Sequence, residues 1–360
     1  MAVTKPVTLT INGKKIEAEA GQTILEVAQA NGIDIPNLCH DPRIEPIGAC
    51  RMCIVEVEGA RGLQTACTYK IQPDMVVRTE TEQIRQTRKD ILEFMLAEHR
   101  VSCTTCDKNG ECRLMEYAYQ YGADEAKFGV YQPPPPEPNY TSEHKGIEYD
   151  PTKCIKCQRC VRICAEVAMA DALTLKNRAY DVVVSTAFDL PLNETTCEHC
   201  GLCVSTCPTG ALYDRQAKGK GMVKDLVKTR TTCPYCGVGC QMDINVNPKT
   251  GKIVRITSET GCVPNDGNLC VKGKFGYHYV HSDDRLTKPL IRKNGELVET
   301  DWDTALSTIG QRLGAIKTEH GPDALAVVSS CRCTNEENFL LQKLARAALG
   351  TNNIDQCAST

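Results

Sequence analysis

The sequence predicts an α+β protein made of several small domains, and three observations support this fold class. The chain has 360 residues, a length that usually forms two or more domains. Aromatic residues make up only 5% of it, which is little for conventional cores of that size. There are 23 cysteines, and nearly all of them fall into groups with short spacings. We therefore expect bound cofactors to replace part of the missing apolar core, because metal binding contributes to folding free energy.

The cysteines are better explained as metal ligands than as disulfides. The N-terminal sequence "MAVTKPVTLT" contains neither an apolar signal segment nor a twin arginine, so we expect a cytoplasmic protein with reduced thiols. No apolar run reaches the length that spans a membrane. The formal net charge of −3 gives no electrostatic reason to expect nucleic acid as a partner.

Residues 1–78 are predicted to form a β-grasp domain with a 2Fe–2S cluster. Two alternating runs flank an Asn-Gly turn at 12–13, and a helix follows with Thr23 and Glu26 as capping box and Gly32 as terminator. The spacing C-x10-C-x2-C-x13-C supplies four thiolates, from Cys39, Cys50, Cys53 and Cys67. A zinc site is the alternative. The spacing differs from the plant type and resembles the N-terminal domains of complex I's large iron–sulfur subunit, iron-only hydrogenases and cytosolic formate dehydrogenases.

Residues 79–125 begin with a predicted helix whose capping box would be Thr79 and Glu82. Its apolar face consists of Ile84, Ile91, Leu92 and Met95. His99 continues that face and, taken alone, would be a hydrogen-bonded core residue. The run H-x3-C-x2-C-x5-C resembles the 4Fe–4S site of the same three families, with ligands His99, Cys103, Cys106 and Cys112. A neutral imidazole in place of a thiolate should raise the cluster's potential.

Residues 126–145 are predicted to be a linker. The stretch "YQPPPPEPNY" at 131–140 has five prolines in ten residues, which favours an extended polyproline II spacer. A proline-rich ligand for a partner is the alternative.

Residues 146–220 contain an internal repeat, C-x2-C-x2-C-x3-C, which predicts a two-cluster bacterial ferredoxin domain. In that pattern the fourth Cys of each run ligates the other cluster. One 4Fe–4S site is therefore expected from Cys154, Cys157, Cys160 and Cys207. The other is expected from Cys197, Cys200, Cys203 and Cys164. Two zinc sites are the alternative.

Residues 221–281 are predicted to be a further 4Fe–4S module. The spacing C-x2-C-x3-C-x29-C gives the ligands Cys233, Cys236, Cys240 and Cys270. The intervening "MDINVNPKTGKIVRITSE" predicts a β-hairpin, and a zinc ribbon is the alternative. Four cysteines lie outside all five groups and are expected to be unligated: Cys262, Cys331, Cys333 and Cys357.

Residues 282–360 are predicted to begin an α/β domain. A helix follows Asp301, with an apolar face of Trp302, Ala305, Leu306, Ile309, Leu313 and Ile316. The run "ALAVVSS" at 324–330 predicts one buried parallel strand. A second helix has Thr334 and Glu337 as capping box and Gly350 as terminator. One strand cannot form a stable sheet, so only the start of a layered domain is expected.

The motifs "CPYCGVGC", "NLCVKGKFG", "RLTKPLI" and "CTNEENFLLQKLARAALGTNNID", in this order, resemble the start of the catalytic alpha subunit of molybdenum- or tungsten-dependent formate dehydrogenases. The resemblance covers the whole chain, because NAD(P)-linked and acetogen-type members also carry the preceding iron–sulfur modules. It implies interconversion of formate and CO2 at a metal bound by two molybdopterin guanine dinucleotides. Lys272 matches the family lysine between the last cluster and a pterin, where it would act as a catalytic and cofactor-binding residue. A surface lysine is the alternative.

The resemblance also implies a direction for electron transfer along the chain. Electrons from formate would pass through the site of Cys270, the ferredoxin pair and the His99 site to the 2Fe–2S site. From there they would reach a redox partner, either a flavin- and NAD(P)-binding iron–sulfur subunit or a hydrogenase. The alternative is a non-catalytic electron-transfer subunit of a larger hydrogenase or complex I-like assembly, with no pterin.

The last residues match the segment that precedes the metal-binding Sec or Cys of the resembling enzymes. That segment reads TNN-x-D, then Cys-Ala-Arg and one more residue. Here Thr351, Asp355 and Cys357 match, whereas Ser359 departs from the arginine. We therefore expect the 360-residue chain to carry electrons but to lack the catalytic residue. Failed selenocysteine readthrough, a chosen boundary and a naturally short subunit would each account for an end at Thr360.

Overall fold

The computed structural model describes residues 6–124, 127–129 and 139–357. Most of the predicted proline-rich linker at 131–140 lies outside these residues. Helices and strands are interspersed along the chain, as expected for an α+β protein. No helix in the described ranges is long and apolar enough to cross a membrane.

The first module is a five-stranded sheet with one helix. Its elements are β1 (Pro6–Ile11), β2 (Lys14–Glu19), α1 (Ile24–Ala30), β3 (Ile54–Val57), β4 (Gln64–Thr65) and β5 (Val76–Arg78). The strand order is β2-β1-β5-β3-β4, and β1 pairs with β5 in parallel. The predicted hairpin is confirmed, with φ of 51° at Asn12 and 80° at Gly13 between the paired strands. The capping box of Thr23 and Glu26 is also confirmed. A hairpin and helix whose first strand pairs with the last is the arrangement of a β-grasp domain.

The second module is a helix pair, α2 (Glu82–Glu98) and α3 (Arg113–Tyr121). The predicted N-cap is wrong: Thr81 caps α2, and its hydroxyl accepts a hydrogen bond from the Ile84 amide. Thr79 has a tertiary partner instead, since its amide donates to Asn12 Oδ1 at 2.9 Å. The predicted apolar face of α2 is buried at Ile84 and Leu92.

The third module contains the same local backbone geometry twice, once in each cysteine run. Its elements are β6 (Ile147–Tyr149), α4 (Arg159–Glu166), β7 (Thr174–Lys176), β8 (Val183–Ser185), α5 (Leu202–Thr206) and β9 (Leu212–Asp214). Strands β6 and β9 pair, as do β7 and β8. Both helices begin after a left-handed residue inside the cysteine run, Gln158 at φ 63° and Gly201 at φ 73°. The sequence repeat is therefore also a structural repeat.

The fourth module is a three-stranded antiparallel sheet with a short helix. Its elements are β10 (Val227–Thr232), β11 (Gln241–Asn247), β12 (Lys252–Thr257) and α6 (Val271–Phe275). The predicted hairpin corresponds to β11 and β12 and is confirmed. Strand β10 adds to it along β11.

The last module differs from the prediction in its strands. Its elements are β13 (Leu290–Lys293), β14 (Glu296–Glu299), α7 (Trp302–His320), β15 (Val327–Ser330), α8 (Asn335–Lys343) and β16 (Ile354–Cys357). The prediction of a single strand is wrong, because β16 pairs in parallel with β15. A π-helical turn (Leu344–Leu349) extends α8, and the capping box of Thr334 and Glu337 is confirmed. The predicted apolar face of α7 is buried only at Ala305, and Trp302 is 67% exposed.

Short 3-10 turns join these elements. They lie at Cys103–Thr105, Pro151–Lys153, Ala179–Asp181, Ala187–Asp189, Leu192–Glu194, Arg215–Ala217, Val223–Asp225, His278–His281 and Pro322–Ala324. The turn at Cys103–Thr105 contains Cys103 and directly precedes Cys106, and the turn at Pro151–Lys153 directly precedes Cys154.

Candidate iron–sulfur centres

The first group of thiols is buried in the β-grasp module. All four of its cysteines are buried, and the Cys50 amide donates to Cys39 Sγ at 3.4 Å. A hydrogen bond from the Cys50 thiol lowers the pKa of Cys39 to about 6. The thiols of Cys53 and Cys67 are hydrogen-bonded in the same way, and this lowers the pKa of Cys67. The two pairs also interact electrostatically with each other, so the four sulfurs share one site.

A buried arginine supports the loop of this first group. Arg88 on α2 is fully buried and donates from Nε to the Met52 carbonyl at 3.1 Å and from Nη2 to the Ile54 carbonyl at 2.9 Å. These two residues flank Cys53. Arg88 Nη1 also donates to Tyr121 Oη on α3 at 2.9 Å. The ligand loop is therefore held by both helices of the second module.

The second group lies around a small cavity at the end of α2. The cavity is lined by all four predicted ligands: His99, Cys103, Cys106 and Cys112. His99 is buried and its Nδ1 has no hydrogen-bond partner among the described residues. Burial, assisted by the charge of Lys153, lowers the pKa of His99 to about 4, which keeps the imidazole in the neutral form that binds metals. Gly210 from the third module closes the cavity, and a Cβ there would lie 3.3 Å from Cys106 Sγ.

The third module brings together thiols from both halves of its repeat. Cys160 interacts electrostatically with Cys157, Cys154 and Cys207, and less with Cys203 of the other set. Cys203 interacts with Cys200, Cys197 and Cys164. The fourth cysteine of each run thus lies with the opposite run. Burial raises the pKa of Cys160 and Cys203, a cost that ligation to iron would offset.

Main-chain amides point at the sulfurs of both runs. The Lys156 amide donates to Cys154 Sγ at 3.4 Å, and the His199 amide donates to Cys197 Sγ at 3.4 Å. Lys156 and His199 both have a φ of 56°, which turns each amide inward. Hydrogen bonds to sulfur stabilise thiolates and tune cluster potentials.

The fifth group lies between β10 and α6. The Cys233 amide donates to the Cys240 carbonyl at 2.8 Å, and the Cys240 thiol interacts with Cys233, Cys236 and Cys270. Cys233 is buried, whereas Cys270 is exposed. Gly273 on α6 lies beside this group, since a Cβ there would be in van der Waals contact with Cys233 Sγ at 3.5 Å. A set of four thiols is a ligand set that fits an iron–sulfur cluster.

Lys272 is exposed on α6, two residues after Cys270, whereas its neighbour Lys274 is buried. Of the four cysteines predicted to be unligated, Cys262 contacts Ser258 Oγ at 3.4 Å. Cys331 and Cys333 are half-buried. The side chain of Cys357 lies outside the part of the chain that the structure describes.

Asp41 connects the first group to the third module. This buried carboxylate is two residues after Cys39 and accepts from Arg43 Nη2 at 2.7 Å, Arg159 Nη2 at 2.9 Å and Thr206 Oγ1 at 2.7 Å. Arg159 precedes Cys160, and Thr206 precedes Cys207. No sequence pattern points to Asp41, because Arg159 and Thr206 lie more than a hundred residues away.

Five models of protein families match consecutive parts of the chain. They are the 2Fe-2S iron-sulfur cluster binding domain at 4–82, the NADH-ubiquinone oxidoreductase-G iron-sulfur binding region at 88–127, the ferredoxin-like domain of NADH-quinone oxidoreductase subunit 3 at 145–213, the molybdopterin oxidoreductase Fe4S4 domain at 226–282 and molybdopterin oxidoreductase at 285–360. These matches support 2Fe–2S and 4Fe–4S binding and a molybdopterin region.

Curated relatives are similar over nearly the whole chain. The NADPH-Fe(3+) oxidoreductase subunit alpha of Geobacter sulfurreducens is 39% identical over 97% of this chain and 40% of its own length. A G-type NADH-quinone oxidoreductase chain of Rhizobium meliloti is 39% identical over 98% of this chain and 40% of its own length. A provisionally named formate dehydrogenase of Staphylococcus aureus is 33% identical over 97% of this chain and 39% of its own length. The chain thus spans about 40% of the length of these relatives.

A solved structure is also similar. A chain of an NAD+-reducing NiFe hydrogenase in the H2-reduced state matches with a TM-score of 0.55 and 30% identity. The match covers 60% of this chain and 91% of the hydrogenase chain.

Proposed function

Since this chain belongs to the oxidoreductase family that joins iron–sulfur domains to a molybdopterin region, we propose that it is the electron-transfer part of a formate dehydrogenase alpha subunit. The observation that supports the proposal most is the order of the matched domains, with the Fe4S4 and molybdopterin parts after the three N-terminal iron–sulfur parts. The relatives that match over nearly the whole chain include one that carries the formate dehydrogenase name. The proposed substrates are formate and CO2, and the proposed electron acceptor is an NAD(P)- or hydrogenase-linked subunit.

We assign one 2Fe–2S and four 4Fe–4S clusters to the five ligand groups. Clusters bound there would supply one-electron carriers in series. The chain's own residues bury all four thiols of the first group and donate main-chain amides to sulfurs in the first and third modules. The molybdenum or tungsten bis-pterin would belong to the region that begins at 282, with Lys272 as the residue between it and the fifth group.

Contacts between modules support a route for electrons. Asp41 joins the loop of Cys39 to the residues beside Cys160 and Cys207. This favours a direct link from the first group to the third module, in addition to the expected one through the His99 group. Phe275 on α6 packs against Gly146 and Gly201, which links the fifth group to the third module.

A second candidate function has its own support. The hydrogenase chain and the NADH-quinone oxidoreductase relative favour a non-catalytic electron-transfer subunit of a hydrogenase or complex I-like assembly. Such a subunit would bind iron but neither molybdenum nor tungsten. Its first three modules would be the same, so only the pterin region separates the two functions.

Metal analysis of anaerobically purified protein tests both the cluster assignment and the choice between the two candidate functions. One 2Fe–2S and four 4Fe–4S clusters hold about eighteen irons per chain. A content of about eight irons or fewer per chain would refute the cluster assignment. In the complete polypeptide, molybdenum or tungsten together with formate-dependent reduction of a viologen dye supports the formate dehydrogenase. A full complement of iron without either metal and without formate turnover supports the electron-transfer subunit instead.

A further inference from the structure

Lys274 is a buried cation at the contact between the third and fourth modules. Only 3% of its surface is exposed, and its Nζ donates to the Ile256 carbonyl at 2.7 Å. Its amide donates to the Cys270 carbonyl at 2.9 Å, so the residue follows the fifth ligand group by one helical turn. A lysine is almost never fully buried without a reason, because the charged form loses its hydration.

The stem of Lys274 passes over the loop that holds Cys200. Gly201 follows Cys200, and a Cβ there would lie 2.9 Å from Lys274 Cγ and 2.9 Å from Phe275 Cζ. Gly201 also has a φ of 73°, so both the lack of room for a side chain and the left-handed backbone conformation favour glycine at this position. The close approach places the stem of Lys274 beside the loop of Cys200, one helical turn after Cys270.

Carboxylates partly balance this charge. Lys274 lines a cavity of about 70 Å³ together with Asp214, Glu111, Arg255 and Lys108. Asp214 is 3% exposed, and its Oδ2 has no hydrogen-bond partner among the described residues. Burial lowers the pKa of Lys274 to about 8, and Asp214 is the first group that opposes this. The hydrogen bond from Nζ to the Ile256 carbonyl and the Asp214 carboxyl in the same cavity accommodate a charged ammonium, in surroundings where charges act over longer distances than in water.

We propose that Lys274 is a positioning residue that raises the reduction potentials of the two 4Fe–4S clusters beside it, those of Cys200 and Cys270. The inference rests on the cluster assignment under the proposed function. Reduction adds one electron to a cluster and breaks no bond, so a fixed positive charge nearby stabilises the reduced state. Two clusters that share one cation would have their potentials raised together, which favours exchange between them.

The experiment is a redox titration followed by EPR on the intact chain, comparing Lys274→Met, Lys274→Arg and Asp214→Asn with the unchanged protein. Lys288→Met is the matched control, because Lys288 is 63% exposed and pairs with the surface carboxylate of Glu299. The signals of the two clusters are assigned by the g-values that Cys200→Ser and Cys236→Ser alter. Iron content is measured for every variant.

Lys274→Met should lower the reduction equilibrium constant of both assigned clusters at least about tenfold, a shift of about 59 mV for one electron. Lys274→Arg and Lys288→Met should leave both potentials close to the original ones. Asp214→Asn, which removes a buried negative charge at almost constant volume, should raise them. A general loosening of the packing would instead move the Lys274→Met and Asp214→Asn potentials in the same direction.

The inference is overturned if Lys274→Met keeps its iron and leaves both potentials unchanged, or if Asp214→Asn lowers them as Lys274→Met does. If the unchanged protein lacks 4Fe–4S signals, the cluster assignment fails and not merely the role of Lys274. If Lys274→Met loses iron, Lys274→Arg becomes the test of the charge. Reduction potentials that fall in Lys274→Arg would refute the role of the charge, because arginine keeps it. Reduction potentials that stay at their original values would support that role.

Discussion

At the scale of single residues, His99 is the proposed ligand whose chemistry differs from that of the others. Its spacing to three cysteines indicates a site, and the structure lines one cavity with all four side chains. The unpartnered Nδ1 and the pKa of about 4 describe a neutral imidazole with one ring nitrogen that has no hydrogen-bond partner among the described residues. Burial is the cause of that pKa, and burial is the property that sequence spacing alone does not show.

His99→Cys should retain a 4Fe–4S cluster and lower its potential, because a thiolate adds a negative charge where the imidazole is neutral. Redox-titrated EPR on the intact chain measures this shift. His320→Cys is the matched control, since His320 is exposed on α7 and far in sequence from every ligand group. Cluster signals that do not move in His99→Cys would return His99 to the role of a core histidine.

At the scale of secondary-structure elements, the ligand loops depend on neighbouring helices. The apolar period predicts helix α2, and Ile84 and Leu92 of its predicted apolar face are buried. The N-cap is Thr81 and not Thr79, because Thr79 is hydrogen-bonded to Asn12 in another module. Arg88 on the same helix holds the loop of Cys53, which no local pattern indicates.

Arg88→Met should lower the potential of the 2Fe–2S cluster, because a fully buried positive charge beside the Cys53 loop is removed. It should also destabilise the first module by about 2–4 kcal/mol, since buried charge-assisted hydrogen bonds are lost. EPR potentials and the thermal midpoint of the cluster's visible absorbance measure the two effects. Arg88→Lys should leave the reduction potential unchanged, because the positive charge is kept. It should still lower the thermal midpoint, because a lysine ammonium does not reproduce the two guanidinium hydrogen bonds to the carbonyls of Met52 and Ile54.

Lys89→Met serves as the control for both readouts. Lys89 lies on the same helix, its side chain is 37% exposed, and it pairs with Glu93 at 3.9 Å. Equal potentials in Arg88→Met and the unchanged protein would contradict the electrostatic part of this prediction. Equal thermal midpoints would contradict the structural part.

At the scale of the whole molecule, Asp41 joins the β-grasp module to the ferredoxin-like module. Burial opposes ionisation of this carboxyl, but the hydrogen bonds of Arg43 and Thr206 and the charges of Arg43 and Arg159 outweigh it and hold its pKa below the usual range. The side chains of Asp41 and Arg43 are 1% and 7% exposed, so the pair is little screened by solvent.

Asp41→Asn should lower the free energy of unfolding by about 3–5 kcal/mol, because it leaves buried arginines without their counter-charge. A carboxyl whose pKa is lowered by folding stabilises the protein above its unfolded pKa of about 3.9, and that stability is lost as the pH falls below it. The difference in thermal midpoint between Asp41→Asn and the unchanged protein should therefore be constant from about pH 8 to about 5 and shrink below about 4.

Asp303→Asn is the control for this measurement, since Asp303 is exposed on α7. A difference in midpoint that is independent of pH down to about 3 would show that Asp41 acts through packing and not through its charge.

The sequence by itself determined the features that depend on residues close together in the chain. These are the Asn-Gly hairpin at 12–13, the capping boxes at Thr23 and Thr334, and the hairpin of β11 and β12. The Asn-Gly pair at 294–295 is the same local signal for the hairpin of β13 and β14. Turn and cap energies are local, so a short stretch of sequence is enough to predict them.

The tertiary structure alone decided which distant groups meet. It pairs β16 with β15 and places Asp41, Arg88 and Lys274 at contacts between modules. A buried charge depends on partners that fold onto it from other parts of the chain, and these partners follow no spacing rule. The free energy of such a group is set by burial and by the nearby opposite charge, and both exist only after the modules have packed.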